Sequence, residues 1–162
     1  MTTVTNNNID VRTWSYGWTS FTTSITAVTT NPSLTITSSQ SSYFQFGKQL
    51  FLIFQVYIAS ASPSRGNGVY LFNIPPGFTI NTSIVRLVNN TATLGAVGGR
   101  DTNNGDNYLG RASAFDSTKY SMFIYDRATT ADGSTYYISS SSMSAFTASP
   151  IVLSSNLTIP IN

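Results

Sequence analysis

Residues 43–59 read YFQFGKQLFLIFQVYIA. Lys48 is the one charge in the run, and aromatic side chains recur along it. Apart from Lys48, the even positions Phe44, Phe46, Leu50, Leu52, Phe54, Val56 and Ile58 are all apolar, a period of two that belongs to a strand and not to a helix. Burying each such side chain stabilises the fold by ~1.5–3 kcal/mol, so this face is expected to point into the core as one long strand. The odd face is mixed, with Tyr43, Gln45, Gln49, Gln55 and Tyr57 around an apolar middle of Phe51 and Ile53. That middle needs cover. A loop or neighbouring strand of the same chain can supply it, or another copy of the protein can, because exposed apolar patches mark association sites. Phe51, Ile53 and Tyr57 are therefore the candidate oligomer contacts.

The rest of the chain has the same β character. Beta-branched and aromatic residues alternate with Gly, Asn, Asp and Pro at short intervals. Strands are expected near 11–18, 21–28, 33–37, 43–59, 69–74, 83–88, 91–97, 108–115, 118–125, 135–139 and 151–160. Arg65-Gly66-Asn67-Gly68 reads as a hairpin loop, and so does Asp132-Gly133, because Asp and Gly tolerate positive φ. Pro75-Pro76-Gly77 should stop a strand, since proline donates no hydrogen bond to a ladder. With 162 residues and no repeat of fixed period, the expectation is all-β. Residues 1–10 are expected to form a flexible polar tail and 11–162 a single antiparallel β-sandwich, jelly-roll-like, of about 8–10 short strands.

Composition removes much chemistry. The chain has no histidine, cysteine or glutamate, and its carboxylates are Asp10, Asp101, Asp106, Asp116, Asp126 and Asp132. Serine has no histidine base beside it, and neither lysine stands in an S-x-x-K arrangement, so nucleophilic catalysis is not expected. Charged residues are 9% of the chain, while Ser, Thr and Asn supply 61 of its 162 residues. The surface is thus wetted by hydroxyls and amides. The six arginines are scattered and the net charge is +2, which leaves no cationic patch for phosphates and argues against nucleic acid. The N-terminus lacks the basic and apolar regions of a signal peptide. The longest apolar run, LFLIF at 50–54, is far short of a span, so no membrane insertion is expected.

Residues 98–110, GGRDTNNGDNYLG, hold the two aspartates closest in sequence, Asp101 and Asp106. Asp101, Asn103 and Asp106 superficially suggest a calcium loop, but the glycine comes one place early and no bidentate glutamate follows, so a turn is the better reading. No metal site and no cofactor is expected. Arg100, Asp101, Asn103, Asn104, Asp106, Asn107 and Tyr108 combine guanidinium, carboxylates, amides and an aromatic ring, the mix that binds sugars or polar protein surfaces. They form the candidate ligand-binding loop. Trp14, Tyr16 and Trp18 alternate along one strand face, where core packing competes with an anchoring role.

Beyond these readings, residues 43–77 carry a longer pattern. An aromatic at Tyr43 and Gly47-Lys48 lead into alternating apolars through Ile58. A Ser/Gly-rich turn follows, then Gly68-Val69-Tyr70-Leu71-Phe72 and Ile74-Pro75-Pro76-Gly77. This stretch, about a fifth of the chain, resembles the distal head domains of viral and bacteriophage fibre proteins. The resemblance implies a virion-surface homotrimer of β-sandwich protomers, not an enzyme, that binds a host cell-surface glycan or protein for attachment. A virion stalk or capsid protein would be its structural partner, and synthesis would take place in the host cell. No collagen-like or coiled-coil stalk precedes the domain in this sequence. The alternatives are a monomeric lectin or carbohydrate-binding module and a purely structural capsid-decorating protein; a hydrolase using aspartates ranks behind both.

Overall fold

The computed structural model describes residues 17–61, 67–85, 87–88, 91–102, 107–125, 135–137 and 150–162. Every regular element among them is a strand: β1 (Thr19–Ser20), β2 (Ile25–Ala27), β3 (Leu34–Phe46), β4 (Gln49–Ala61), β5 (Tyr70–Asn73), β6 (Leu87–Val88), β7 (Thr91–Asp101), β8 (Asn107–Ala114), β9 (Lys119–Tyr125), β10 (Thr135–Tyr137) and β11 (Ile151–Pro160). They join into one antiparallel sheet in the order β1-β3-β4-β11-β7-β8-β9-β5-β2, with β6 beside β7 and β10 beside β9. The all-β expectation holds, but as one continuous sheet curled into a half-barrel. Two of its strands, β3 and β4, are 13 residues long.

The stretch 43–59 is not one strand. It reverses at Gly47-Lys48, where Gly47 takes φ 56°, a left-handed conformation open to glycine at little cost. Phe46 pairs with Gln49 across this two-residue turn, and the ladder then runs Phe44↔Phe51, Tyr43↔Leu52 and Ser42↔Ile53. Paired residues share a face, so the parity of the inward positions inverts at the turn. On β4 the even residues Leu50, Leu52, Phe54, Val56 and Ile58 are buried, as their period of two requires. On β3 it is Ser41 and Tyr43 that face the core, while Phe44 lies outside against Phe51. Lys48 is then no break in an apolar face; it sits exposed in the turn.

Two other turn readings divide. Asp132-Gly133 lies outside the described residues, but the strands on either side of it do pair, Tyr125 with Thr135. The strands on either side of residues 65–68 do not pair with each other: β4 pairs with β3 and β11, whereas β5 pairs with β2 and β9. Asn67 instead bridges to Thr30.

The curl follows from chain length. β1 and β2 occupy opposite ends of the sheet order, yet only four residues separate Ser20 from Ile25. Five residue steps reach at most ~18 Å. A flat nine-strand sheet would be roughly 38 Å across at the usual strand spacing. The two edges must therefore approach each other, and residues 21–24 join them. Phe21 N donates to Ser41 O at 3.0 Å on the β3 side, and the Thr23 and Ser41 hydroxyls are 2.6 Å apart and buried. On the β5 side, Ser24 donates to Asn73 Oδ1 through its backbone N–H and, at 2.9 Å, through its hydroxyl.

Folding over brings together the inner faces of strands that are remote in the sheet. Phe54 of β4 meets Phe72 of β5 edge to face at 5.4 Å, and Phe72 stacks on Tyr120 of β9 at 5.5 Å. The C-terminal strand β11 fills the centre between β4 and β7, with Ile151, Leu153, Leu157 and Ile159 turned into the core.

Tyr120 is fully buried, and burial pushes its pKa well above the ordinary 10.0, with the nearby Ser155 hydroxyl pulling weakly the other way. Neither hydroxyl makes a hydrogen bond of good geometry. Above about pH 10 the unfolded chain releases the tyrosine proton while the folded chain keeps it, so stability falls as pH rises. Wild type is expected to lose about 1.4 kcal/mol more per pH unit above that point than Tyr120→Phe, as read by urea melts at stepped pH.

Candidate functional site

The hairpin between β7 and β8 carries the segment singled out from sequence. Arg100 and Asn107 face each other across its base and both are exposed. Asp101 ends β7 opposite Ile151. Asn103, Asn104 and Asp106 lie outside the described residues. Tyr108 is turned differently: it sits opposite Gly99, half-buried, with its ring packed on the core. Arg100 and Asn107 thus remain together at the surface, and Tyr108 contributes packing. The base of the hairpin is tied to the start of β11 by Thr102, whose N–H and hydroxyl both donate to Pro150 O, at 3.0 and 2.9 Å.

The outer face of β3, β4 and β11 is the second surface. Phe44 stacks flat on Phe51 at 4.6 Å, so cover for Phe51 comes from within the chain. Trp18 stands at right angles to Phe44, 4.8 Å between ring centroids, and the residue stays 47% exposed. Trp18 is therefore no core residue; Trp14 and Tyr16 lie outside the described residues. Ile53 remains 45% exposed, and Tyr57 is half-buried.

Beside Trp18 the same face forms a trough of about 380 Å³. Its floor is laid out by register. Gln40, Gln55 and Ser154 lie side by side on β3, β4 and β11, with Ser42, Ile53 and Asn156 in the next row. No residue lining the trough is charged. Sequence reading missed this site because its members are far apart in the chain. The one available signal was the Gln55 side chain, placed among apolar neighbours on the odd face of β4.

Other large apolar side chains are exposed too. Leu109 is 74% exposed on β8, and Val28 and Ile36 lie toward the end of the sheet that carries the β7–β8 hairpin. Phe46, Ile84 and Phe115, each about half exposed, sit at the opposite end. The segments holding those three are tied together by backbone bonds: Ile161 N to Lys48 O, Asn162 N to Thr79 O, Asn81 N to Pro160 O and Ile80 N to Ser117 O.

Among the described residues, no three of the metal-ligating types come together, and no helix is long and apolar enough to cross a membrane. No family model, curated protein or solved structure matches this chain.

Proposed function

We propose that this protein is a non-enzymatic, fibre-head-like attachment protein of the virion surface. In this reading the curled sheet is a sandwich-type head protomer, three copies associate, and the assembly binds a host-surface molecule. The observation that carries the reading is the braced apolar end of the molecule, opposite the β7–β8 hairpin. Phe46, Ile84 and Phe115 project there from three segments braced by backbone hydrogen bonds, so their exposure is fixed in place. Lys48 and Asp116, also exposed at this end, supply both signs of charge, so electrostatics do not oppose contact between copies. Burying such side chains between copies follows the same free-energy gradient that folds the core, and a closed symmetric assembly satisfies every copy at once. The β7–β8 hairpin, with Arg100 and Asn107, then points away from the association surface, where loops on a rigid scaffold carry recognition.

Sedimentation velocity at micromolar concentration should give three chains per particle. The double variant Ile84→Asp/Phe115→Asp should run as a monomer with an unchanged circular dichroism spectrum. A wild-type chain that sediments as a monomer would overturn the reading.

A further inference from the structure

We infer that the trough on the outer face of β3, β4 and β11 is a binding site for a neutral oligosaccharide. The inference names the ligand class for the attachment reading and rests on it for its biological setting, but the trough is argued on its own geometry. It lies on the outer face of the sheet, away from the apolar end, so association through that end leaves it open.

Three features select the ligand. First, the amide side chains of Gln40, Gln55 and Asn156 make no hydrogen bond to other described residues, although they stand on three adjacent strands. Adjacent strands are about 4.8 Å apart, so Gln40, Gln55 and Ser154 present donors and acceptors at a regular pitch fixed by the ladder. Second, Trp18 stands at the margin of this array, held by its perpendicular contact with Phe44, and that ring is in turn stacked on Phe51. Its exposed indole is positioned before any ligand arrives. Third, nothing in the lining is ionisable.

These features exclude the other ligand types by their desolvation costs. An anion or cation entering the trough would shed water and meet no countercharge. A purely apolar ligand would cover three amides and two hydroxyls and leave them without partners. A sugar has a C–H face for the indole and hydroxyls around its rim for the amides. It answers both halves of the surface.

The test is calorimetric titration and saturation-transfer NMR of the full chain with three neutral probes, cellohexaose, maltohexaose and N-acetyllactosamine, and with sialyllactose as the charged comparison. At least one neutral probe should bind, with an affinity unchanged by added salt. Trp18→Ala and Gln55→Ala should each weaken it about tenfold or more. Gln55 is exposed and unbonded through its side chain, so its removal keeps the fold, and thermal melts and sedimentation of both variants should match wild type. The inference falls if none of the three neutral probes binds, if both variants bind within about twofold of wild type, or if only sialyllactose binds. It also falls if Ile53→Asp changes the number of chains per particle, since the trough would then be buried between copies. Loss of trimerisation with sugar binding retained would overturn the head reading and leave the trough standing.

Discussion

Replacing Phe72 with alanine is expected to lower the stability of the fold by about 3–5 kcal/mol, the range for emptying a fully enclosed aromatic site. Phe72 is completely buried on β5, between Phe54 of β4 and Tyr120 of β9. Its ring joins two parts of the sheet that no hydrogen-bond ladder connects directly, since β4 and β5 stand five places apart in strand order. Collapse cannot refill the space cheaply, because the strands on both sides are held in register by their own partners. A loss of that size consumes a large share of the stability of an ordinary domain. Urea unfolding followed by circular dichroism reads it directly; a change below about 1 kcal/mol would mean that the two inner faces do not meet as described. Phe115→Ala, at an exposed position, is the comparison and should alter monomer stability by no more than about 0.5 kcal/mol.

Gly95→Val carries the second large effect. A β-carbon on Gly95 would lie 2.5 Å from the Asn156 carbonyl oxygen and 3.1 Å from Leu157 Cα. Both contacts are to backbone, so no rotamer change relieves them. β11 cannot move aside, because it is bonded to β4 along its whole length and to β7 from Ile151 to Leu157. Position 95 also borders the irregularity at which the β7–β8 register shifts, between Thr93 and Gly95. The expected cost is about 3 kcal/mol, from forced separation of β7 and β11 and from lost packing at Leu157. Ala96→Val, one residue along on the exposed face, should stay within about 0.5 kcal/mol of wild type. Equal effects at 95 and 96 in the same denaturation experiment would contradict the close approach of the strands.

Local pattern made a good part of this architecture readable. The strand expected at 151–160 occupies those same residues as β11, buried on one face. The buried set on β4, Leu50 to Ile58, follows from period two alone. Local pattern misleads at Gly47-Lys48, because apolar residues flank the turn on both sides: Phe44 and Phe46 match the parity of the core positions on β4 and yet face outward. It misleads again at 65–68, where turn-forming residue types separate two strands that take partners elsewhere. In the polar loop, residue types could not distinguish Arg100, which is exposed, from Tyr108, which packs on the core.

The sequence by itself determined that the chain is all-β, that the even positions from Leu50 to Ile58 form a core face, and that no histidine, cysteine or glutamate is on hand for chemistry. Those conclusions rest on period and composition, which are local properties. Only the tertiary structure decided that β11 lies between β4 and β7, that four residues draw the two sheet edges together, and that Trp18, Gln40, Gln55 and Asn156 share one trough. The reason is physical: a strand's periodicity states which face is buried, while its partners are set by register and closure with segments as remote in sequence as Gln49 and Pro160, about which the local pattern is silent.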